Sequence, residues 1–189
     1  MRLLDAVRDA DRTVTKQAAS RIPASAGKAL SGLEEAAESS KLWCGAAVLV
    51  ASVGGRRGRR AAAAGVTALV VAQLVSNGVC KQVTGRRRPP KEWIPHDEVE
   101  DRPDSSSFPS GHTAAAVAFT AALAPTWPLA GAVCAVPAAA VAVERVQSGA
   151  HYPSDVAAGA VIGLAAAWLI HRAPHLLRRR LVPWRRAGA

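Results

Sequence analysis

Aromatic side chains are scarce in this chain, which has two Phe, one Tyr and five Trp among 189 residues. Its basic residues therefore do not alternate with the aromatics a nucleic-acid groove needs, and no helix, finger or sheet signature of base reading occurs. Cysteine is limited to Cys44, Cys80 and Cys134, an odd number without paired ligand spacing. That argues against a disulfide framework and a cysteine zinc site, and suggests small buried hydrophobes. Acidic residues are few, 14 Asp and Glu against 24 Lys and Arg, leaving a net charge of +10. The amino terminus has charges every few residues and no continuous apolar stretch, so no cleavable signal peptide is expected and the first span would drive insertion.

What the chain does contain is apolar mass, half of its residues, supplied mainly by alanine and valine. Runs at residues 42–55, 61–80, 113–123, 127–143 and 156–170 have few charges, which a bilayer explains better than water does. Pro137 should kink the fourth run. Arginine gathers at span ends, in Arg56, Arg57, Arg59 and Arg60 and in the tail with Arg178, Arg179, Arg180, Arg185 and Arg186, as membrane-surface anchors do. The expected architecture is all-α, a membrane helical bundle of about five spans over residues 42–171, with a basic tail over 172–189. Residues 1–41 should form an amphipathic N-terminal segment, because Leu3, Val7, Ala10 and Val14 recur at helical spacing, and a second short helix is expected over residues 26–39. The segment can lie at the membrane interface or pack on its own protein. A soluble bundle remains the competing architecture, since apolar runs of about 10–14 residues also serve as buried core helices.

Three segments carry chemistry: Lys81 with Arg88 and Pro89; Pro109, Ser110, Gly111 and His112; and Arg145 with His151 and Asp155. Alternating crossings bring all three to one membrane face. Ser110 suits an N-cap, and Gly111 permits close backbone approach, so the helix start after it can receive an anion. Pro153 suits the first turn of the last helix, which sets Asp155 about one turn from His151, where a carboxylate can hold an imidazole. Two histidines can share nucleophile and acid duties while fixed cations hold a phosphate. Only the Asp155 spacing favours His151 over His112 as nucleophile. Taken singly, each histidine would more often be a packing residue and each cation a snorkelling one; their conjunction changes that weighting. Arg86 and Arg87 fall outside the motif positions and are read as solvated or headgroup-facing. Gly159 and Gly163 suggest close helix packing more than dimerisation.

Lys81, six residues, Arg88-Pro89, then Pro-Ser-Gly-His, then Arg145, five residues, His151, three residues, Asp155: this pattern resembles the type 2 phosphatidic acid phosphatase family, which is related to the vanadium haloperoxidases. The resemblance covers residues 42–171. It implies a metal-independent phosphatase that needs no cofactor. In it His151 attacks phosphorus to form a phosphohistidine, Asp155 orients His151, and His112 protonates the leaving oxygen and then acts as base. Lys81, Arg88, Ser110, Gly111 and Arg145 would bind the phosphate oxygens. One departure stands out, because the family usually has serine where this chain has Glu144. That carboxylate either weakens the hold of Arg145 on phosphate or points away along the helix.

The membrane setting implies a lipid phosphate or diphosphate as substrate: phosphatidic acid, phosphatidylglycerol phosphate, or a polyprenyl phosphate or diphosphate. A non-catalytic lipid-phosphate binder and a vanadate-dependent haloperoxidase are the competing functions. No nucleic-acid partner is expected, and the oligomeric state is open. Outside the motif cations the two faces carry nearly equal Lys and Arg. The compact arginine clusters and the habit of the resembled family then favour an active site on the extracytoplasmic face of the cell membrane.

Overall fold

Where a helix must pass close to several others in lipid, small residues allow it, and residues 111–123 are written that way. The computed structural model describes residues 2–21, 30, 32, 36, 40–94 and 104–181, the stretch 173–181 by backbone alone. Its helices are α1 (Arg2–Arg21), α2 (Lys41–Val53), α3 (Gly55–Val83), α4 (Gly111–Leu123), α5 (Pro128–Gln147) and α6 (Pro153–Leu181), and no strand occurs among the described residues. The helix expected over residues 26–39 falls almost wholly outside them, as do His96, the acidic stretch 97–101 and the last residues of the tail.

The short helix α4 stands in the middle, packed on α3, α5 and α6. Ala114, Ala116, Ala118, Phe119, Ala122 and Leu123 are fully buried. Two glycines of α6 set its contact with α4: a Cβ on Gly159 would lie 2.4 Å from the Ser110 carbonyl oxygen, and one on Gly163 2.7 Å from that of Ala114. Close packing within the chain thus accounts for the pair. Around this alanine interior the larger aliphatics point outward, with Val48, Leu49, Val70, Leu74, Val133, Val136, Val161 and Leu164 all exposed. Water would penalise so much exposed apolar surface, whereas lipid tails accept it. The segments Gly55–Val83, Pro128–Gln147 and Pro153–Arg172 are long and apolar enough to cross a membrane, and α2 and α4 are shorter apolar helices. The bundle is a multi-span membrane fold, and the soluble alternative falls.

Several boundaries differ from those expected. Helix α3 begins at Gly55 and not at residue 61, so the arginines at 56–60 form its first turns, arginine being a good helix former. Pro137 lies inside α5, which continues to Gln147 and takes in Glu144 and Arg145. Helix α6 runs without a break past residue 171 to Leu181. Cys134 is buried, but Cys80 is only partly so and Cys44 is exposed, correcting the expectation of three buried thiols. In lipid a small apolar side chain has no need to face inward.

Helix α1 packs on the bundle by a face beside the apolar stripe and not by the stripe itself. Asp11, Thr15 and Ala19 are buried, with α1 touching α5 and α6 and Ala19 packed on Ile94 and Trp93, while Leu3 is 78% exposed and Val7 and Val14 are also open. Of the two expected roles, the packing of α1 on its own protein is what these contacts describe, with the apolar stripe left exposed. Trp93, on the turn Lys91–Trp93, receives Lys16 over its ring at 4.9 Å and Arg12 at 5.6 Å.

Candidate active site

The chain reverses at one end of the bundle by tight turns, at Gly54 and at residues 124–127. At the other end it runs through the long connection between α3 and α4 and through residues 148–152. This second end gathers the three motifs. Helix α3 widens to π geometry over Leu74–Cys80, immediately before Lys81, a departure that recurs at functional sites. Within those turns Asn77 crowds Gly111, where an added Cβ would lie 2.5 Å from its Oδ1. A larger residue at 111 would displace the Asn77 side chain.

Beyond α3, residues 84–88 and 105–108 are zipped together. Thr84 Oγ1 lies 2.8 Å from the carbonyl oxygens of both Cys80 and Phe108, which share its one proton, the Ser107 N–H donates to Arg86 O at 3.0 Å, and Ser107 Oγ donates to Arg87 O at 3.3 Å. The motifs are then cross-linked through backbone. Arg88 Nη1 donates to Ala150 O at 2.7 Å, tying the first motif to the third, and the Ser110 N–H donates to Asp155 O at 3.0 Å, tying the second to the third. Ser110 caps α4 as expected, its Oγ accepting from the Thr113 N–H at 3.4 Å.

His151 is 2% exposed. Its Nδ1 lies 2.6 Å from the Ser107 carbonyl oxygen and 3.8 Å from Asp155 Oδ2. Sequence reasoning assigned the ring to Asp155 alone; the nearer partner is a backbone carbonyl. Since a carbonyl only accepts, Nδ1 carries the proton and Nε2 of the neutral ring keeps its lone pair. The Asp155 carboxylate is fully buried, with Oδ2 accepting the Tyr152 N–H at 2.9 Å and Oδ1 paired with Arg86 at 2.5 Å. Burial pushes His151 below its ordinary value, with Arg88 adding to the effect and Asp155 and the Ser107 carbonyl opposing it.

Positive charge converges on the same place. His112 feels Arg145, His151, Lys81 and Arg88 together, and Arg88, lowered by burial and then by Arg145, also feels Asp155. Glu144 is buried and pairs with Arg145 Nε, so it neither points away nor stands idle. Of the expected residues, Lys81, Arg88, Ser110, Gly111, His112, Arg145, His151 and Asp155 thus lie at one end of the bundle. A cavity of about 530 Å³ flanks them, lined by residues 84–91 and 104–106. Neither histidine lines it. Among the described residues no group of three His, Cys, Asp or Glu is arranged to hold a metal ion.

Arg86 is the residue sequence reasoning misjudged. It is only partly exposed and bridges Asp155 to Asp11, whose pairing outweighs the opposing effect of burial and raises its pKa. Arg87, by contrast, is exposed as expected. The missed signal lay in α1, where Asp11, Thr15 and Ala19 recur every four residues as a small, polar stripe. In a membrane protein such a stripe is the docking face.

A helical membrane bundle that gathers a buried histidine, a half-buried one and several cations at one end sets the class of protein to be compared. The model of the PAP2 superfamily matches residues 61–179, and the chain belongs to that family. It is 37% identical over 105 residues to a lipid A 1-phosphatase of Rhizobium etli, across 51% of this chain and 43% of that protein. The chain thus spans less than half the length of that curated relative. Its fold is similar to the crystal structure of a transmembrane PAP2-type phosphatidylglycerolphosphate phosphatase from Bacillus subtilis, with a TM-score of 0.68 at 23% identity over 90% of this chain and 87% of the other.

Proposed function

We propose that the protein hydrolyses a lipid phosphate monoester or diphosphate through a phosphohistidine on His151, without a metal ion. The observation that carries this reading is the pairing of His151 Nδ1 with the Ser107 carbonyl at 2.6 Å, which leaves the lone pair on Nε2. Nε2 attacks phosphorus as the bond to the lipid oxygen breaks, and His112, holding a proton once the bound phosphate offsets the surrounding cations, gives that oxygen its proton. His112 then takes a proton from water, whose oxygen displaces His151 and releases inorganic phosphate. Lys81, Arg88 and Arg145, with Ser110 and the Gly111 amide, hold the oxygens on which charge accumulates. The relatives' names, lipid A 1-phosphatase and phosphatidylglycerolphosphate phosphatase, support a phosphorylated lipid headgroup as substrate, a group that phosphatidic acid and polyprenyl phosphates or diphosphates also carry. The outward aliphatics support entry from the bilayer, and we favour the extracytoplasmic face.

The test is phosphate release from detergent-solubilised protein over a panel of these lipids, with chelator present. Release that His151→Ala abolishes, in a variant that still inserts, supports the reading. Release that His151→Ala leaves unchanged contradicts it. The burial of Glu144 against Arg145 favours one other reading, a binder that retains lipid phosphate without turnover. For that reading no lipid in the panel yields phosphate, while inorganic phosphate or vanadate still protects the protein against heat.

A further inference from the structure

One buried charge takes no part in the scheme above. Asp11, on α1 and 3% exposed, accepts the Ser154 N–H at 2.9 Å on Oδ1, and on Oδ2 the Ser154 hydroxyl at 2.6 Å and Arg86 Nη2 at 2.7 Å. The other prong of the same guanidinium, Nη1, donates to Ser154 Oγ at 2.7 Å and to Asp155 Oδ1 at 2.5 Å. Its flat face lies over the Tyr152 ring, 4.3 Å from the centroid. A planar fork can serve two carboxylates at once, which a lysine cannot do. The chain of contacts therefore runs from a helix outside the family-matched residues 61–179 into the candidate site.

We propose that Asp11 and Arg86 are positioning residues: the α1 carboxylate fixes the Arg86 guanidinium, which fixes the Asp155 carboxylate beside the ring of His151. The role assigned to His151 rests on the reading in the preceding section, whereas the linkage itself does not. A loosened Asp155 lets the imidazole and the Tyr152 backbone drift, and a misplacement of about 1 Å at a reacting group costs up to about 100-fold in rate. The linkage is also electrical. The charged or titratable groups around His151 and Asp155 are Arg86 and Arg88 from the first motif, His112 from α4, Arg145 from α5, Tyr152 beside Asp155 and Asp11 from α1. Neutralising Asp11 leaves the positive charge of Arg86 less balanced and disfavours an imidazolium at His151. Neutralising Arg86 leaves two carboxylates and favours it. The two variants must therefore move His151 in opposite directions, whereas a loosening of the fold common to both would move it the same way.

The experiment uses the full chain in detergent with 13C-labelled histidine, the His151 signal being assigned by its loss in His151→Ala. Titration of that signal is followed in the parent, Asp11→Asn and Arg86→Gln, with kcat and KM measured alongside on a lipid phosphate. The expected result is a His151 midpoint lower in Asp11→Asn and higher in Arg86→Gln, each by roughly half a pH unit or more. It comes with a kcat loss of about 10-fold to 100-fold and a KM within about two-fold of the parent. Midpoints that stay put, or that move the same way, overturn the proposal even if kcat falls. If a neutral variant fails to fold, Arg86→Lys carries the test: it keeps the charge but cannot bridge two carboxylates, so a kcat loss of about 10-fold at unchanged KM supports the proposal and parental kcat overturns it. A parent that releases no phosphate defeats the functional reading alone, because the titration still reports the linkage.

Discussion

The two ends of this bundle use arginine for opposite purposes. At the end away from the site, the arginines at 56–60 open α3 beside tight turns, and Arg57 makes one hydrogen bond, from Nε to Thr126 O at 2.6 Å. Glycine does the structural work there, since a Cβ on Gly54 would meet the Trp127 ring at 2.2 Å and one on Gly58 would meet Val50 O at 2.0 Å. At the site end Arg86, Arg88 and Arg145 are partly or wholly buried and each is committed to an acceptor within the protein. The contrast teaches that an arginine's neighbours in space, and not its neighbours in sequence, decide whether it anchors a helix or builds a site.

Changes that break this contrast should differ in size. Arg88→Ala removes a cation from the site and a bond to Ala150, so steady-state kinetics should show kcat/KM falling by about 100-fold or more. Gly159→Ala forces a Cβ against Ser110 O and should destabilise the bundle by about 1–3 kcal/mol, read as a lower midpoint in detergent melting, with turnover reduced because Ser110 moves. The acid limb of kcat/KM should fall below pH 6.5, because His151 is held under that value and stays neutral as the pH drops toward it. The sign for stability is the same. Between 6.5 and the lower folded value the unfolded chain binds more protons, so the contribution of His151 is complete above 6.5 and declines on acidification. Arg57→Ala, at the other end, should leave turnover within about two-fold of the parent. A large loss there would erase the distinction between the ends.

Those parts of the site that rest on local spacing are legible in the amino-acid sequence. The Pro-Ser-Gly-His run marks a capped helix start, and the interval from His151 to Asp155 marks one helical turn. The Ser107 carbonyl is not legible there, because a backbone acceptor has no residue identity to read. Nor is the Asp11–Arg86 pair, whose members lie 75 residues apart and meet only when α1 docks. In the fold, the apolar run at 113–123 is recognisable as a helix. Why it can be so short emerges from its position, surrounded by α3, α5 and α6 with little of it exposed. The apolar stripe of α1 reads correctly as a stripe, but in a bilayer protein the docking face is the small and polar one.

The most direct test of the account is chemical trapping of the intermediate. Protein mixed with a 32P-labelled lipid phosphate that it turns over should be quenched in alkali, where phosphohistidine survives, and the label mapped by peptide. The account predicts label on the peptide containing His151 and none in His151→Ala. Turnover without label on that peptide, or label that persists in His151→Ala, would contradict it.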